Sequence, residues 1–366
     1  MKKVGDSFKG IFGGIIAIII GVILLWWNEG NNVRNIKTTD EMMKTVIDVD
    51  SKAIDSANEG KLVATHGKLV NEETLTDNVF GASIVTPKMV RTVEVYQWVE
   101  KEEDDDGTKH YSYTKEWSER LIDSSSFNQS GHENPKSKPY ENSEMYTKDA
   151  TVGAFRLSSD QIEMLSTEGV FVDYNAEKLT SLGYHLVGNY ITNSKNYDNP
   201  EVGDVRIIIN YNNSTDISVL AVQTGNTFTD FVSSVGKTHN RVVDGIHSGR
   251  DMINIIIKEN KIIKWLLRFA GILLCVIGVA TIFKPLTTLA NFVPILGGIV
   301  NMAVGLVGLI VGLAISLVVI AIAWIRFRPL IGIALLVVVG VLIFILIKKK
   351  KTKVETNPVE NTTTEQ

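Results

Sequence analysis

Apolar positions in this chain of 366 residues are segregated. Residues 11–27 form an unbroken apolar run, and most of 265–347 is apolar too. The stretch between them is rich in Asp, Glu, Asn, Ser and Thr. About 20 apolar residues carry an α-helix across the hydrocarbon core of a bilayer. The run at 11–27 approaches that length and ends in Trp26-Trp27, a residue type that settles at the membrane–water interface. A secretory signal peptide is the rival reading, because Lys2, Lys3 and Lys9 precede the run. The run is long, however, and Asn28-Glu29 follows it where a cleavage site would need small residues, so it reads as an uncleaved anchor. A second span is expected at 265–283, closed by Lys284-Pro285, and a last one at 329–347, closed by lysines at 348–351. Arg268 lies one turn inside the second span, where a long side chain snorkels back to the interface.

Residues 286–325 are too many for one crossing at about 1.5 Å per residue. Pro294 and Gly297-Gly298 offer a break. The segment then reads as an interfacial piece followed by a long, tilted third span. A re-entrant hairpin plus a span is the other reading. Lysines at both ends place residues 1–10 and the basic, then polar, tail 348–366 in the cytosol, which requires an even number of spans. Arg268, Arg326 and Arg328 fall on the opposite side from that bias.

The expected architecture is therefore an integral membrane α-helical protein of about four transmembrane helices. A large extracytoplasmic or lumenal α+β domain, residues 28–264, is inserted between the first and second spans. Strand candidates lie at 61–70, 89–100 and 110–122, the last two joined by an acidic turn ending in Asp106-Gly107, a hairpin signal. A second hairpin is expected from 205–211 and 217–223, entered by a turn at 201–204. A helix is expected to start with Ser159 as N-cap. Residues 237–264 read as a juxtamembrane helix, with Val242, Val243, Ile246, Ile253, Ile256 and Ile257 on one face.

Charge sharpens this division. Residues 28–264 hold 25 Lys and Arg against 37 Asp and Glu, a net of −12, while the remainder holds 12 against 4, a net of +8. An acidic globule on a basic anchor lacks the basic patch of a nucleic-acid binder. Cys275 is the only cysteine, which excludes an internal disulfide and a thiolate-rich metal site.

The chemistry is sparse. Histidines 66, 110, 132, 185, 239 and 247 form no HExxH pair. His239 and His247 would share a helical face, but two ligands make no site. His132-Glu133-Asn134-Pro135 is the most site-like cluster and reads as a structural turn. The carboxylates 102–106 lack the alternating ligand spacing of an EF-hand and read as a solvated turn. No catalytic, cofactor or metal residues are assigned. The spans instead show small residues four apart: Gly13, Ala17 and Gly21 in the first, and Gly308, Gly312 and Ser316 in the third, with Asn301 two turns earlier. Such faces let helix backbones approach, within one chain or between chains.

Several strings resemble the transmembrane protein 43 family, also called LUMA. They are Asn28-Glu29-Gly30, Val95-Tyr96-Gln97-Trp98-Val99-Glu100, Tyr111-Ser112-Tyr113 with Glu116-Trp117, His132 with Asn134-Pro135, Pro200-Glu201-Val202-Gly203-Asp204-Val205-Arg206, and Arg328-Pro329-Leu330. They run in the family's order from the first span to the last. The resemblance implies four spans, a lumenal or extracytoplasmic domain, and cytosolic or nucleoplasmic ends. In animals it implies the endoplasmic reticulum and inner nuclear membrane, self-association, and nuclear-envelope organisation with lamin-associated partners. In a bacterium it implies the cytoplasmic membrane. The termini depart from the family: the N-terminal arm is short and the tail polar. The expected function is a non-enzymatic membrane-organising scaffold that self-associates, without cofactor or nucleic acid, its partners being the lipid bilayer, a second copy and, in a eukaryote, other membrane or nuclear-envelope proteins. A lipid-handling or channel-like protein is the alternative.

Overall fold

The computed structural model describes residues 2–105, 108–290 and 296–329. Its contacts divide the chain into two units, Thr38–Ile257 and the combination of Met1–Lys37 with Lys258–Gln366. Five helices are described: α1 (Lys2–Thr45), α2 (Ser159–Glu163), α3 (Ala176–Ser181), α4 (Gly249–Ala290) and α5 (Leu296–Phe327). Among the described residues, Gly10–Thr45, Gly249–Ala290 and Gly298–Phe327 are long and apolar enough to cross a membrane. The expected fourth span, 329–347, lies almost wholly outside the described residues.

The unit Thr38–Ile257 is built on two larger sheets. In the first, Asp216–Thr224 pairs antiparallel with Leu62–Val70, Val219 opposite Thr65, and the path extends to Thr227–Thr229 on one side and to Thr151–Val152 and Phe155–Arg156 on the other. Leu62–Val70 is buried on both faces at its start, which the period-2 geometry of a strand explains. Val63 packs with Ile217, Val219, Phe155 and Ile162 in one core, while Leu62 and Ala64 pack with Leu220, Met42, Met252, Ile253 and Ile256 in another. The second sheet orders His185–Val187, Tyr190–Thr192, Val205–Tyr211, Lys88–Asp105 and Thr108–Ser118. Val93, Val95, Ile207 and Ile209 face a third core with Phe80, Leu179 and Tyr184. Gly153 shows how tightly the first sheet turns: its φ is +60°, and a Cβ there would stand 2.2 Å from the Ser51 carbonyl oxygen.

The local expectations fare unequally. Lys88–Asp105 and Thr108–Ser118 form a long hairpin with Asp105 opposite Thr108, around the Asp106-Gly107 pair. The turn at 201–204 closes with Asp204 N–H donating to Glu201 O at 3.0 Å, and Gly203 takes a φ of +99°. The second expected hairpin does not form. Val205–Tyr211 and Asp216–Thr224 belong to different sheets. Asn212 N–H is bonded to Lys88 O of the second sheet, whereas Thr215 O accepts from Leu69 N–H of the first, so the linker crosses between them.

Other boundaries shift. The N-cap of α2 is Ser158, not Ser159, because Ser158 and Gln161 form a reciprocal capping box. The juxtamembrane helix begins at Gly249, not 237. Thr238–His239 and Arg241–Asp244 are strands, and Val242 opposite Val219 extends the first sheet. Over 286–290, in the segment expected to be interfacial, the chain continues α4 through Pro285 to Ala290. The proline removes one backbone donor, and the Thr287 and Thr288 hydroxyls both bond the Lys284 carbonyl nearby, at 2.8 and 3.1 Å.

Candidate functional site

Buried positions on α1 recur at Gly14, Gly21, Leu25, Asn28 and Asn32, and those on α4 at Arg268, Gly271, Cys275 and Gly278. Steps of seven, or of four and three, form the narrow stripe that two long helices share along one seam. The pairs run in opposite directions. A Cβ at Gly14 would lie 2.6 Å from Gly278 O, one at Gly21 would lie 2.9 Å from Gly271 O, and Asn28 Nδ2 donates to Lys264 O at 3.1 Å. α1 and α4 are therefore antiparallel, in backbone contact where four glycines remove the side chains. α5 is antiparallel to α4 in turn: a Cβ at Gly308 would meet Ala280 Cβ at 2.8 Å, and one at Gly312 would meet the Val276 Cα at 2.5 Å.

The residues singled out from sequence divide accordingly. Gly21, Gly308 and Gly312 lie at contacts within the chain. Gly13 faces open space, and its neighbour Gly14 occupies the seam instead. Ala17 is half-buried. Ser316 is buried, but its hydroxyl donates to Gly312 O of its own helix at 2.8 Å. Asn301 lies on α5 and is half-buried, and its side chain bonds no described residue.

One carboxylate ties three helices together. Arg268 Nε donates to Glu29 Oε1 at 2.6 Å, and Trp324 Nε1 donates to Glu29 Oε2 at 2.9 Å. The Glu29 side chain is 1% exposed and that of Arg268 is 11%. The guanidinium lies 4.9 Å from the Trp265 ring centroid and 5.8 Å from that of Trp324, within cation–π range. Arg268 therefore does not snorkel, because its countercharge is inside the bundle. In the sequence Arg268 stands out as a charge in an apolar run, whereas Glu29 lies two residues past the first run in the Asn28-Glu29-Gly30 string, and nothing local pairs the two. Towards residue 37 the seam stays polar: Asn35 Nδ2 donates to Asn260 Oδ1 at 2.8 Å.

The polar clusters of the other unit are bonded within the fold. Asn134 acts as a substitute strand for Trp98: its Oδ1 accepts from Trp98 N–H at 2.7 Å and its Nδ2 donates to Trp98 O at 2.9 Å. His132 stacks on Tyr113 at 3.7 Å and meets the Trp98 ring edge-on at 4.6 Å. The loop encloses an open cavity of about 710 Å³ lined by Phe127, His132 and Glu133 among others. Asn134→Ala strips Trp98 of two partners and is expected to cost about 1–2 kcal/mol, read as a lower denaturation midpoint. An unchanged midpoint would remove the structural role given to this turn. Arg91 and Asp77 form a buried ion pair at 2.5 Å inside the second sheet's core, and burial in that core pushes the Tyr184 hydroxyl up to about 12. His239 and His247 share no helical face. His239 lies on a strand, held below the ordinary histidine range by burial, whereas His247 precedes α4 and its Nε2 meets the Asp244 carbonyl oxygen at 3.0 Å. Among the described residues no group of His, Cys, Asp and Glu is placed to hold a metal ion. The carboxylate at 102 pairs with Lys109 at an exposed 2.7 Å.

A family model described as Transmembrane protein 43 matches residues 95–329. Transmembrane protein 43 of Homo sapiens is 27% identical over 352 residues, covering 90% of this chain and 87% of the relative. That of Rattus norvegicus is 27% identical over 382 residues, covering 98% and 94%. The Transmembrane protein 43 homolog of Drosophila melanogaster is 29% identical over 340 residues, covering 88% and 90%. No solved structure matches.

Proposed function

The chain belongs to the transmembrane protein 43 family, and from that premise we propose that this integral membrane protein is a non-enzymatic, membrane-organising scaffold that self-associates. Its helical unit would hold the β-rich unit on the extracytoplasmic or lumenal side, with both termini cytosolic. In a eukaryote this would be the endoplasmic reticulum or inner nuclear membrane, with other membrane or nuclear-envelope proteins as partners. In a bacterium it would be the cytoplasmic membrane.

The observation that carries this reading is where the charge in the helical unit goes. Ionisable groups that line a route through the bilayer mark ion paths and proton relays. Here Glu29 and Arg268 face each other, and a tryptophan takes the remaining carboxylate oxygen. The arrangement fixes helices in place. The alternating directions of α1, α4 and α5 bring the chain at Arg328 to the end where Glu29 lies, so cytosolic ends require one further crossing. Self-association would use faces other than Gly308 and Gly312, which α4 of the same chain covers. The open stripe of α1 bearing Gly13, Ile16, Ile20 and Ile23 is available.

Topology reporters test the architecture. Fusions ahead of Lys2 and after Gln366 are expected to read cytosolic, and fusions at Asp105 or at a truncation after Arg328 are expected to read from the far side. Opposite locations for the two ends would discard the four-span arrangement. Cysteine crosslinking from Ile16→Cys or Ile20→Cys, with buried Cys275 as the sole background thiol, is expected to trap dimers. Monomers throughout would remove self-association.

A further inference from the structure

We propose that the Trp-rich end of the helical unit binds the phosphate of an anionic phospholipid, with Lys264 and Arg328 as its ligands and Lys261 and Arg326 completing a basic collar. The inference rests on membrane insertion and is independent of the scaffold reading.

The cations are concentrated and unbalanced. Lys261, Lys264 and Arg268 recur at steps of three and four on α4, so they lie along one side of the helix. Arg268 of α4 and Trp324 of α5 meet at Glu29, and Lys264 and Arg328 each stand one turn further out on these antiparallel helices, so the two cations share a level. Glu29 is already spent, one oxygen on Arg268 and the other on Trp324. Among the described residues, Lys261, Lys264, Arg326 and Arg328 have no carboxylate within ion-pair distance. Lys264 and Arg328 are half-buried while Lys261 and Arg326 are exposed, so the inner two are partly shielded from water and the outer two are not.

Their setting selects a lipid. Lys264 Nζ lies 5.6 Å from the Trp265 ring centroid, and the Arg326 guanidinium lies 5.8 Å from that of Phe327. Phe327 itself packs on Trp26 at 5.3 Å. Indole rings at this density mark the headgroup level of a bilayer, where phosphates sit. A phosphodiester takes a bidentate contact from Arg and a point charge from Lys. The same collar accounts for Arg326 and Arg328 lying at the opposite end of the bundle from Lys2, Lys3 and Lys9, against the usual bias of basic residues.

The test uses the full chain in nanodiscs of phosphatidylcholine doped with phosphatidylglycerol, released into detergent and weighed by native mass spectrometry. The wild type is expected to retain phosphatidylglycerol selectively. Neutralising two interfacial cations in Lys264→Gln with Arg328→Gln is expected to weaken retention roughly thirtyfold, at about a factor of five per charge. The charge-preserving pair Lys264→Arg with Arg328→Lys is expected to retain it, as is wild type challenged with millimolar inorganic phosphate. Should the neutral pair fail to fold, Arg328→Gln alone is expected to show about a fivefold loss. Retention by the neutral variants equal to wild type overturns the proposal. So does displacement by inorganic phosphate, which would mean a free-phosphate site, or equal retention of phosphatidylcholine, which would mean no requirement for net charge.

Discussion

Arg268→Met is expected to destabilise the helical unit by about 3–5 kcal/mol, the usual cost of stranding one member of a buried ion pair. The stranded group is Glu29, whose side chain is 1% exposed and would keep only the Trp324 indole as a partner. The expected readout is a loss of folded protein in detergent and a lower midpoint in a thermal series, with the β-rich unit's own signal less affected. Glu29→Gln should cost less than Glu29→Ala, because the amide oxygen still accepts from Trp324 or from Arg268. The double change Glu29→Leu with Arg268→Met should recover much of the loss, since well-packed apolar residues often replace a buried pair at no cost. Wild-type stability in Arg268→Met would mean that the two charges reach water or headgroups, which would restore the snorkelling arrangement. The double variant has a second use. If it folds and still inserts, the pair serves register and specificity, holding three helices at one level, more than net stability.

The apolar runs were legible because bilayer thickness sets a length that any sequence must meet. The hairpin around Asp106-Gly107 was legible because its information is local: a turn residue pair and alternation on each side. Failure began where the deciding contact was distant. Val205–Tyr211 and Asp216–Thr224 each look like half of a hairpin, and only the presence of Lys88–Asp105 and Leu62–Val70 as better partners separates them. Residues 237–248 were misread because Val242, Val243 and Ile246 satisfy a helical period as well as a strand, and the sheet edge offered by Asp216–Thr224 decides. At the candidate site, Arg268 stood out as a charge in an apolar run, yet its partner lies 239 residues away. Four-residue spacing picks out Gly13, Ala17 and Gly21, and the seam keeps Gly21 but takes Gly14 in place of Gly13, because two helices sharing a long stripe repeat every seven residues and the phase is set by the partner helix. In the acidic turn, Glu102 pairs with Lys109 across the hairpin, while Asp106 and Gly107 lie outside the described residues.

Gly278→Leu and Gly14→Leu are expected to disrupt the bundle, and Gly13→Leu, one residue away, to leave it intact. The first two place a side chain where even a Cβ would stand 2.7 Å from Gly14 O or 2.6 Å from Gly278 O. Overpacking typically costs about 1–3 kcal/mol, and these sites belong at the upper end because the obstacle is backbone carbonyl, which cannot rotate aside. In lipid the loss is not offset elsewhere. Apolar surface gains little by leaving acyl chains for another helix, so close backbone approach carries much of the association. Gly308→Leu and Gly312→Leu meet Ala280 and the Val276 backbone within the same chain. They are expected to lower abundance and thermal stability while leaving the fraction of crosslinked oligomer among surviving molecules unchanged. Gly13→Leu meets nothing within 4 Å, and so separates the effect of size from the effect of position. If Gly13→Leu and Gly278→Leu proved equally harmful, the α1–α4 seam would be out of phase by one residue. If Gly312→Leu dispersed oligomers without loss of stability, α5 would pack between chains.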